Sequence, residues 1–176
     1  MTRRLFIFDE PDRFVPGTVG DPGDRTFYLQ ARKGKAVVSV VLEKSQVAVL
    51  AARMTELLTT VDRAPEIKPI ADDAPLDQPL VEVFRVGAMA LAWDPSLGQV
   101  MVEAQTEEAG GEYQEVADDD DEGPDLIRVR LAPEQAHAFV GRAERLVAGG
   151  RPTCPYCGEP LDPAGHFCAR ANGLLN

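Results

Sequence analysis

All three cysteines of this 176-residue chain fall in one short stretch near its C-terminus, where Cys154 and Cys157 are followed by His166 and Cys168. An odd number of cysteines cannot all pair as disulfides within one chain, so their grouping favours metal binding. The spacing in Cys154-Pro155-Tyr156-Cys157-Gly158 is typical of a zinc knuckle, in which a tight turn aims two thiolates at one point. Three thiolates and one imidazole complete a tetrahedral sphere. We therefore predict one structural zinc ion bound by Cys154, Cys157, His166 and Cys168.

A redox-active pair at Cys154 and Cys157 is the alternative interpretation of the same spacing. Such a pair opens a helix in thioredoxin-like proteins. Gly158, Pro160 and Pro163 disfavour a long helix at this place. The zinc site is therefore the preferred interpretation.

Alternating and helical apolar patterns predict an α+β fold in which antiparallel sheets pack against two helices. The region between the first strand and the hairpin is rich in proline and glycine, and we interpret residues 9–25 as a loop. The helix after Ser45 and the helix after Pro133 each carry one apolar stripe. Strands are predicted at 4–8, 26–31, 36–43, 81–86, 89–93, 99–105 and 126–131.

The two helical regions resemble each other when the chain is shifted by 89 positions. We predict a degenerate tandem repeat, with copies at 1–61 and 80–149, each made of three or four antiparallel strands closed by a helix. The alternative is chance similarity between two amphipathic helices that each follow a strand. The identities are Leu42 with Leu131, Gln46 with Gln135, Arg53 with Arg142, and Leu57 with Leu146.

Composition divides the chain into a core at 1–150 and a zinc-knuckle tail at 151–176. A Pro-rich linker is predicted at 62–79, because four prolines and five carboxylates there bury little surface. Ten acidic residues and no basic residue lie between Glu107 and Asp125, so we predict an acidic, solvated loop at 107–125. The net charge of -11 therefore comes mostly from one segment.

Membrane insertion and secretion are not expected. No apolar run approaches the roughly 18 residues of a membrane-spanning helix. The apolar stretch that ends at Phe8 meets Asp9 too early for a signal peptide. We expect a cytoplasmic protein.

No catalytic constellation emerges from the sequence. His137 lies off the apolar stripe of its helix and is predicted to face solvent. The run Asp118–Asp121 lacks the alternating spacing of an EF-hand loop, and Gly17–Gly23 lacks the Gly-Lys-Ser/Thr of a phosphate-binding loop. An enzyme that uses Asp9, Asp12 and Arg13 in the 9–25 loop remains an alternative.

Three segments resemble an actinobacterial family of conserved proteins of unknown function. The first runs from Asp9 to Gly20, as Asp-Glu-Pro-Asp-Arg-Phe-Val-Pro-Gly-Thr-Val-Gly, and the second is Arg25-Thr-Phe-Tyr-Leu-Gln-Ala31. The third combines Cys154-Pro-Tyr-Cys-Gly158 with Gly165-His-Phe-Cys-Ala-Arg-Ala-Asn-Gly173. The resemblance covers nearly the whole chain and implies neither an activity nor a substrate.

A second resemblance is topological. Two copies of strands closed by a helix are similar to the purine-rich-element-binding and Whirly-type single-stranded nucleic-acid binders. The resemblance implies a surface that stacks bases and contacts phosphates. Its candidate residues on the first hairpin are Phe27, Tyr28, Arg32, Lys33 and Lys35.

The closed metal site and the exposed Pro- and Gly-rich segments lead to our main hypothesis. The chain is predicted to be a non-enzymatic, zinc-stabilised binding or adaptor protein with a protein partner. Binding of single-stranded nucleic acid is the alternative, and an enzyme is the third. The sequence leaves the oligomeric state open.

Overall fold

The computed structural model describes residues 2–61, 63, 71–149, 154–158, 168 and 170. It has seven strands, two α-helices and one short 3-10 turn at Glu107–Ala109 within these ranges. Neither helix has the length and apolar character needed to cross a membrane. The elements are β1 (Leu5–Asp9), β2 (Arg13–Val19), β3 (Thr26–Lys33), β4 (Ala36–Leu42), α1 (Lys44–Thr60), β5 (Glu82–Asp94), β6 (Gln99–Thr106), β7 (Leu126–Leu131) and α2 (Pro133–Ala148).

The seven strands form one mixed sheet in the order β1-β7-β6-β5-β4-β3-β2. Strands β1 and β7 are parallel, as are β4 and β5, whereas the other neighbouring pairs are antiparallel. The predicted α+β class is confirmed, and the prediction of purely antiparallel sheets is corrected by the two parallel pairs. The internal repeat stays a prediction.

The sheet must curl, because its two edge strands follow each other directly in the chain. Only residues 10–12 separate β1 from β2. Such a connection spans at most about 14 Å, whereas the outer strands of a flat seven-stranded sheet lie roughly 29 Å apart. Glu10, with a φ of 50°, makes the bend, and Lys33 Nζ on β3 reaches the carbonyl oxygen of Asp9 on β1.

The core lies between the curled sheet and the two helices. Most of the apolar stripe predicted for each helix is buried, and Phe14 on β2 stacks on Phe139 of α2 with ring centroids 5.0 Å apart. Each helix therefore gains its stability from packing on the sheet. The buried stripe residues are Val47, Leu50, Ala51, Met54 and Leu58 in α1, and Ala136, Phe139, Val140 and Ala143 in α2.

Two strands differ from the prediction. Residues 13–19 form β2, although Pro16 and Gly17 favoured a loop there. Proline is tolerated in β2 because an edge strand has one side without a ladder. The strands predicted at 81–86 and 89–93 are one continuous strand, β5, with a register shift between Val86 and Ala88.

Residues 71–79, which are the larger described part of the predicted linker 62–79, contact the sheet; residues 62 and 64–70 lie outside the described residues. Arg13 Nε donates to Asp72 Oδ2 at 2.6 Å, and Arg13 Nη1 donates to the Pro75 carbonyl at 2.9 Å. Gln30 donates to the Asp77 carbonyl at 3.1 Å and accepts from the Asp77 backbone N–H at 2.7 Å. Leu76 is only 7% exposed. The composition of the segment is polar, but its polar groups have partners on the sheet.

The acidic loop 107–125 is exposed at most of its positions, and hydrogen bonds also attach it to the sheet. Gln105 donates to the Gln114 carbonyl at 2.6 Å and accepts from the Gln114 N–H at 2.9 Å. Arg3 donates to the carbonyls of Ala117 at 2.5 Å and Asp120 at 2.8 Å. The loop thus covers the β6–β7 side of the sheet.

Candidate metal centre

Cys154, Cys157 and Cys168 come together as the sequence predicted. Their three sulfur atoms all lie within 4.8 Å of one another, and all three residues are thiols. A tetrahedral ion with metal–sulfur bonds of about 2.3 Å holds its sulfurs about 3.8 Å apart. Cys154 and Cys168 are buried, and Cys157 is half-buried. The three cysteines therefore fit one metal ion.

A tight turn produces this geometry at the first two cysteines. The backbone N–H of Gly158 donates to the Cys154 carbonyl at 2.9 Å, and Gly158 has a φ of 76°. That left-handed conformation favours glycine because no Cβ is present. The turn brings Cys157 back toward Cys154, which explains why the Cys-x-x-Cys-Gly spacing predicted the pair.

The surroundings of Cys154 favour a thiolate. Burial opposes the charged form, but the backbone N–H groups of Cys157 and Tyr156 donate to the sulfur and lower the pKa of Cys154 overall. The same turn that gathers the sulfurs thus also supplies dipoles that stabilise negative charge on one of them. The fourth predicted ligand, His166, lies outside the described residues.

The five residues that were proposed for nucleic-acid binding differ in how accessible they are in the structure. Phe27 is part of the hydrophobic core, so its ring is not available to stack on a base. Arg32 Nη1 binds Asp77 Oδ1 at 2.9 Å. Tyr28 is half-buried, while Lys33 and Lys35 are exposed at the hairpin end. The hairpin therefore offers exposed charge and little aromatic surface.

The residues of the enzyme alternative are engaged in three separate structural contacts. Asp9 Oδ1 accepts from Arg130 at 2.9 Å, and Asp12 Oδ2 accepts from the backbone N–H of Gly34 at 2.7 Å. Arg13 binds the 71–79 segment. Each of the three side chains thus has a hydrogen-bond partner outside the group of three.

The sequence suggested that the His137 side chain faces solvent. In the structure this side chain instead connects α2 with the residues that follow α1. The side chain is half-buried, and its Nε2 lies 2.6 Å from the carbonyl oxygen of Arg63. Because a carbonyl only accepts, Nε2 carries the proton in this contact.

One buried charged cluster was not predicted from the sequence. Glu103 on β6 is 2% exposed and accepts hydrogen bonds from the Tyr113 hydroxyl and from Arg128 Nε. Arg128 also donates to Asp118 Oδ2 at 2.8 Å. A glutamate between the apolar residues Val102 and Ala104 of β6, paired across from an arginine in β7, is the signal that would have indicated it. The cluster fixes the acidic loop to the sheet.

Tyr113 is expected to titrate at a higher pH than an unperturbed tyrosine. Burial and the neighbouring Glu103 carboxylate raise the pKa of Tyr113 from 10.0 to about 12. Because the folded-state pKa is the higher one, the stabilising effect of the neutral phenol is present below pH 10 and is lost as pH rises toward 12. An ultraviolet pH titration of the folded chain checks this. The late step should vanish in Tyr113→Phe and persist in Tyr28→Phe. A single ionisation of all tyrosines near pH 10 would contradict it.

The comparisons with known proteins identify a family and nothing closer. No curated protein and no solved structure matches the chain, so the resemblance to purine-rich-element-binding and Whirly-type proteins has no support. Residues 6–168 match the model of a family that is described as protein of unknown function, DUF3090. Because the match runs from β1 to the last of the three clustered cysteines, the chain belongs to the DUF3090 family.

Proposed function

We propose that this protein is a non-enzymatic binding protein of the adaptor type, with a C-terminal segment that one zinc ion stabilises. The observation that carries the proposal is the convergence of the Cys154, Cys157 and Cys168 sulfurs within 4.8 Å. With His166 as fourth ligand, the tetrahedral sphere is complete and has no open position for substrate or water. A site of this type stabilises a fold and does not activate a reactant.

Two further observations support a binding role over catalysis. The residues that the sequence offered for chemistry, such as Asp9, Asp12 and Arg13, make hydrogen bonds that hold the fold. Arginines on the sheet also bind two long polar segments, 71–79 and 107–125. The chain thus already recognises extended acidic segments of its own, and we infer that it presents a related surface to a protein partner.

Metal analysis tests the zinc proposal. Protein purified without added metal is expected to contain one zinc ion per chain by mass spectrometry. Cobalt substitution is expected to give the intense absorption of a tetrahedral thiolate site. Cys154→Ser should lose the metal, and His166→Ala should bind it more weakly and admit a water ligand. Ser45→Ala is the matched control and should retain the full metal content.

The binding role needs a separate measurement. Zinc-loaded protein used as bait should recover one protein in stoichiometric amount after nuclease treatment, and Cys154→Ser should recover less of it. If the purified protein contained no metal, or carried a stoichiometric Cys154–Cys157 disulfide, the structural zinc site would be overturned. Recovery of nucleic acid alone would overturn the protein-adaptor role.

A further inference from the structure

Four elements of the fold meet where strand β4 ends. Strand β3 is antiparallel to β4 and places Phe27 opposite Leu42, whereas β5 is parallel to β4 and places Arg85 opposite Val41. Helix α1 begins at Lys44, directly after the end of β4. The start of β3, the start of α1 and the first half of β5 are therefore neighbours, although they are distant in the chain.

A small cavity with a volume of ≈ 230 Å³ lies at this junction. Its wall includes three cationic side chains, those of Arg25, Lys44 and Arg85, and one carboxylate, that of Glu43. The chain as a whole has a net charge of -11, so a cavity with three cations and one anion is the reverse of its average composition. A cleft lined mainly by one sign of charge concentrates ions of the opposite sign. The cavity is therefore suited to an anion.

Two of the three cations have no anionic partner in the part of the chain that the structure describes. The side chains of Arg25 and Lys44 take part in no ion pair there. Moreover, Arg25 Nε is one of only two buried side-chain nitrogen or oxygen atoms, among the described residues, that lack a hydrogen-bond partner. A buried donor costs free energy unless a group of the protein, a water or a ligand accepts from it. Arg25 Nε thus indicates a position for an acceptor atom.

The third cation, Arg85, is held by weaker contacts that an incoming anion can replace. Its Nη1 lies 3.0 Å from Glu43 Oε1, and its Nε lies 3.7 Å from Glu107 Oε1. The two carboxylate side chains are 70% and 54% exposed. Exposed ion pairs contribute little to stability, so the Glu43 carboxylate is a competitor for the site and not a permanent occupant.

The first turn of α1 adds to the positive potential of the cavity. The N-terminal end of a helix carries a partial positive charge from its backbone N–H groups. The first turn of α1 contains no acidic residue and begins with Lys44. A lysine is unfavourable at that end of a helix, and an anion bound beside it would remove the repulsion.

We propose that this cavity binds the phosphoryl group of a phosphate monoester. Such a group carries a charge of about -1.5 to -2 at pH 7 and three strong acceptor oxygens, which match the two unpaired cations. The arginine supplies directed N–H donors, and the lysine supplies a point charge. The cavity is smaller than the roughly 300–1,000 Å³ of pockets that enclose a whole ligand. Only the phosphoryl group therefore enters, and the rest of the ester stays outside, whether it is a protein side chain or a small metabolite.

Inorganic phosphate is the first probe. The full, zinc-loaded chain is titrated with it at constant low ionic strength, and binding is followed by amide chemical shifts. We expect saturable binding with a Kd of about 0.1–1 mM and shifts at residues 25–27, 42–46 and 85. Arg25→Gln and Lys44→Gln should each weaken binding at least about fivefold. Arg53→Gln removes the same charge from an exposed position farther along α1 and should leave the affinity unchanged.

A change that strengthens binding separates a phosphate site from a merely structural cluster. Glu43→Gln removes the competing carboxylate and should tighten phosphate binding about threefold. Lys44 and Glu43 are exposed, so thermal unfolding should confirm that these two variants are folded. Arg25→Lys is a second variant at the position with the buried Nε. It keeps the charge but loses the guanidinium donors, and it should bind phosphate with an affinity between those of the original chain and Arg25→Gln.

Phosphate esters then identify the source of the phosphoryl group. If the peptide N-acetyl-Gly-phosphoserine-Gly-amide binds more tightly than inorganic phosphate, and its unphosphorylated form does not bind, the natural ligand is a phosphorylated protein. If glucose 6-phosphate shows the tighter binding, the ligand is a small metabolite. Either result supports the proposal, whereas binding of inorganic phosphate but of neither ester would overturn it.

Three other results would also refute the phosphate site. These are no saturable binding by the folded chain, equal binding by Lys44→Gln and Arg53→Gln, and an affinity for acetate equal to that for phosphate, which would show only general attraction of anions. The zinc site is tested independently. Metal-free protein that still binds phosphate refutes only the zinc site, and zinc-loaded protein that ignores phosphate refutes only the phosphate site.

Discussion

Replacing Arg142 with alanine should lower the free energy of unfolding by about 3–5 kcal/mol, as expected when one partner of a buried charged network is removed. Arg142 is 9% exposed, and its guanidinium donates to carbonyls from two separate parts of the chain, Pro16 in β2 and Asp72 and Ala74 in the 71–79 segment. Burial lowers the pKa of Arg142, and the nearby Arg13 lowers it further. Burying the Arg142 guanidinium therefore costs desolvation free energy, and its hydrogen bonds to the three carbonyls offset that cost.

Arg53→Ala is the matched control for this prediction, because Arg53 holds the same position in α1 and is exposed. Its effect should stay within about 0.5 kcal/mol, as for most surface substitutions. Denaturant unfolding followed by circular dichroism measures both variants. Arg142→Lys should recover only part of the loss, since an ammonium group lacks the planar fork that reaches several carbonyls. Equal, small effects of Arg142→Ala and Arg53→Ala would show that the 71–79 segment contributes little to stability.

Glu103→Leu should lower the free energy of unfolding by about 3 kcal/mol, because it leaves Arg128 and the Tyr113 hydroxyl without their buried acceptor. Glu103 is the innermost member of the cluster at 2% exposure, and the Arg128 side chain that it accepts from is 11% exposed. The acidic loop should then separate from the sheet more readily. Hydrogen exchange of residues 113–118 should increase, in addition to the loss of global stability.

Asp118→Asn is the control for Glu103. Asp118 is the second carboxylate partner of Arg128, but its side chain is 58% exposed. Exposed ion pairs contribute about 0–1 kcal/mol, so this variant should be nearly as stable as the original chain. A second measurement distinguishes the cluster from simple packing: the late titration of Tyr113 should move to lower pH in Glu103→Leu, because one of the causes that raise its pKa is removed. An unchanged Tyr113 titration would contradict the proposed contact.

Patterns of nearby residues predicted the elements that depend on local interactions. The β3–β4 hairpin, both helices and the turn at Cys154–Gly158 follow from periodicity, a two-residue turn at Gly34 and a four-residue cysteine spacing. Strand β2 was missed, because Pro16 and Gly17 are typical of loops and become acceptable in a strand only at a sheet edge. That edge is created by strands far away in the sequence.

The sequence by itself determined where the apolar stripes, the hairpin and the cysteine cluster lie, because each arises from residues close together in the chain. The tertiary structure alone decided how the two polar segments are used. Segment 71–79 and loop 107–125 have compositions typical of solvated chain, yet arginines brought near by the folded sheet bind their carbonyls and carboxylates. Arg53 and Arg142 are indistinguishable in the helical pattern. Arg53 is exposed and Arg142 is buried, because segment 71–79 contacts Arg142 and, among the described residues, no distant segment contacts Arg53.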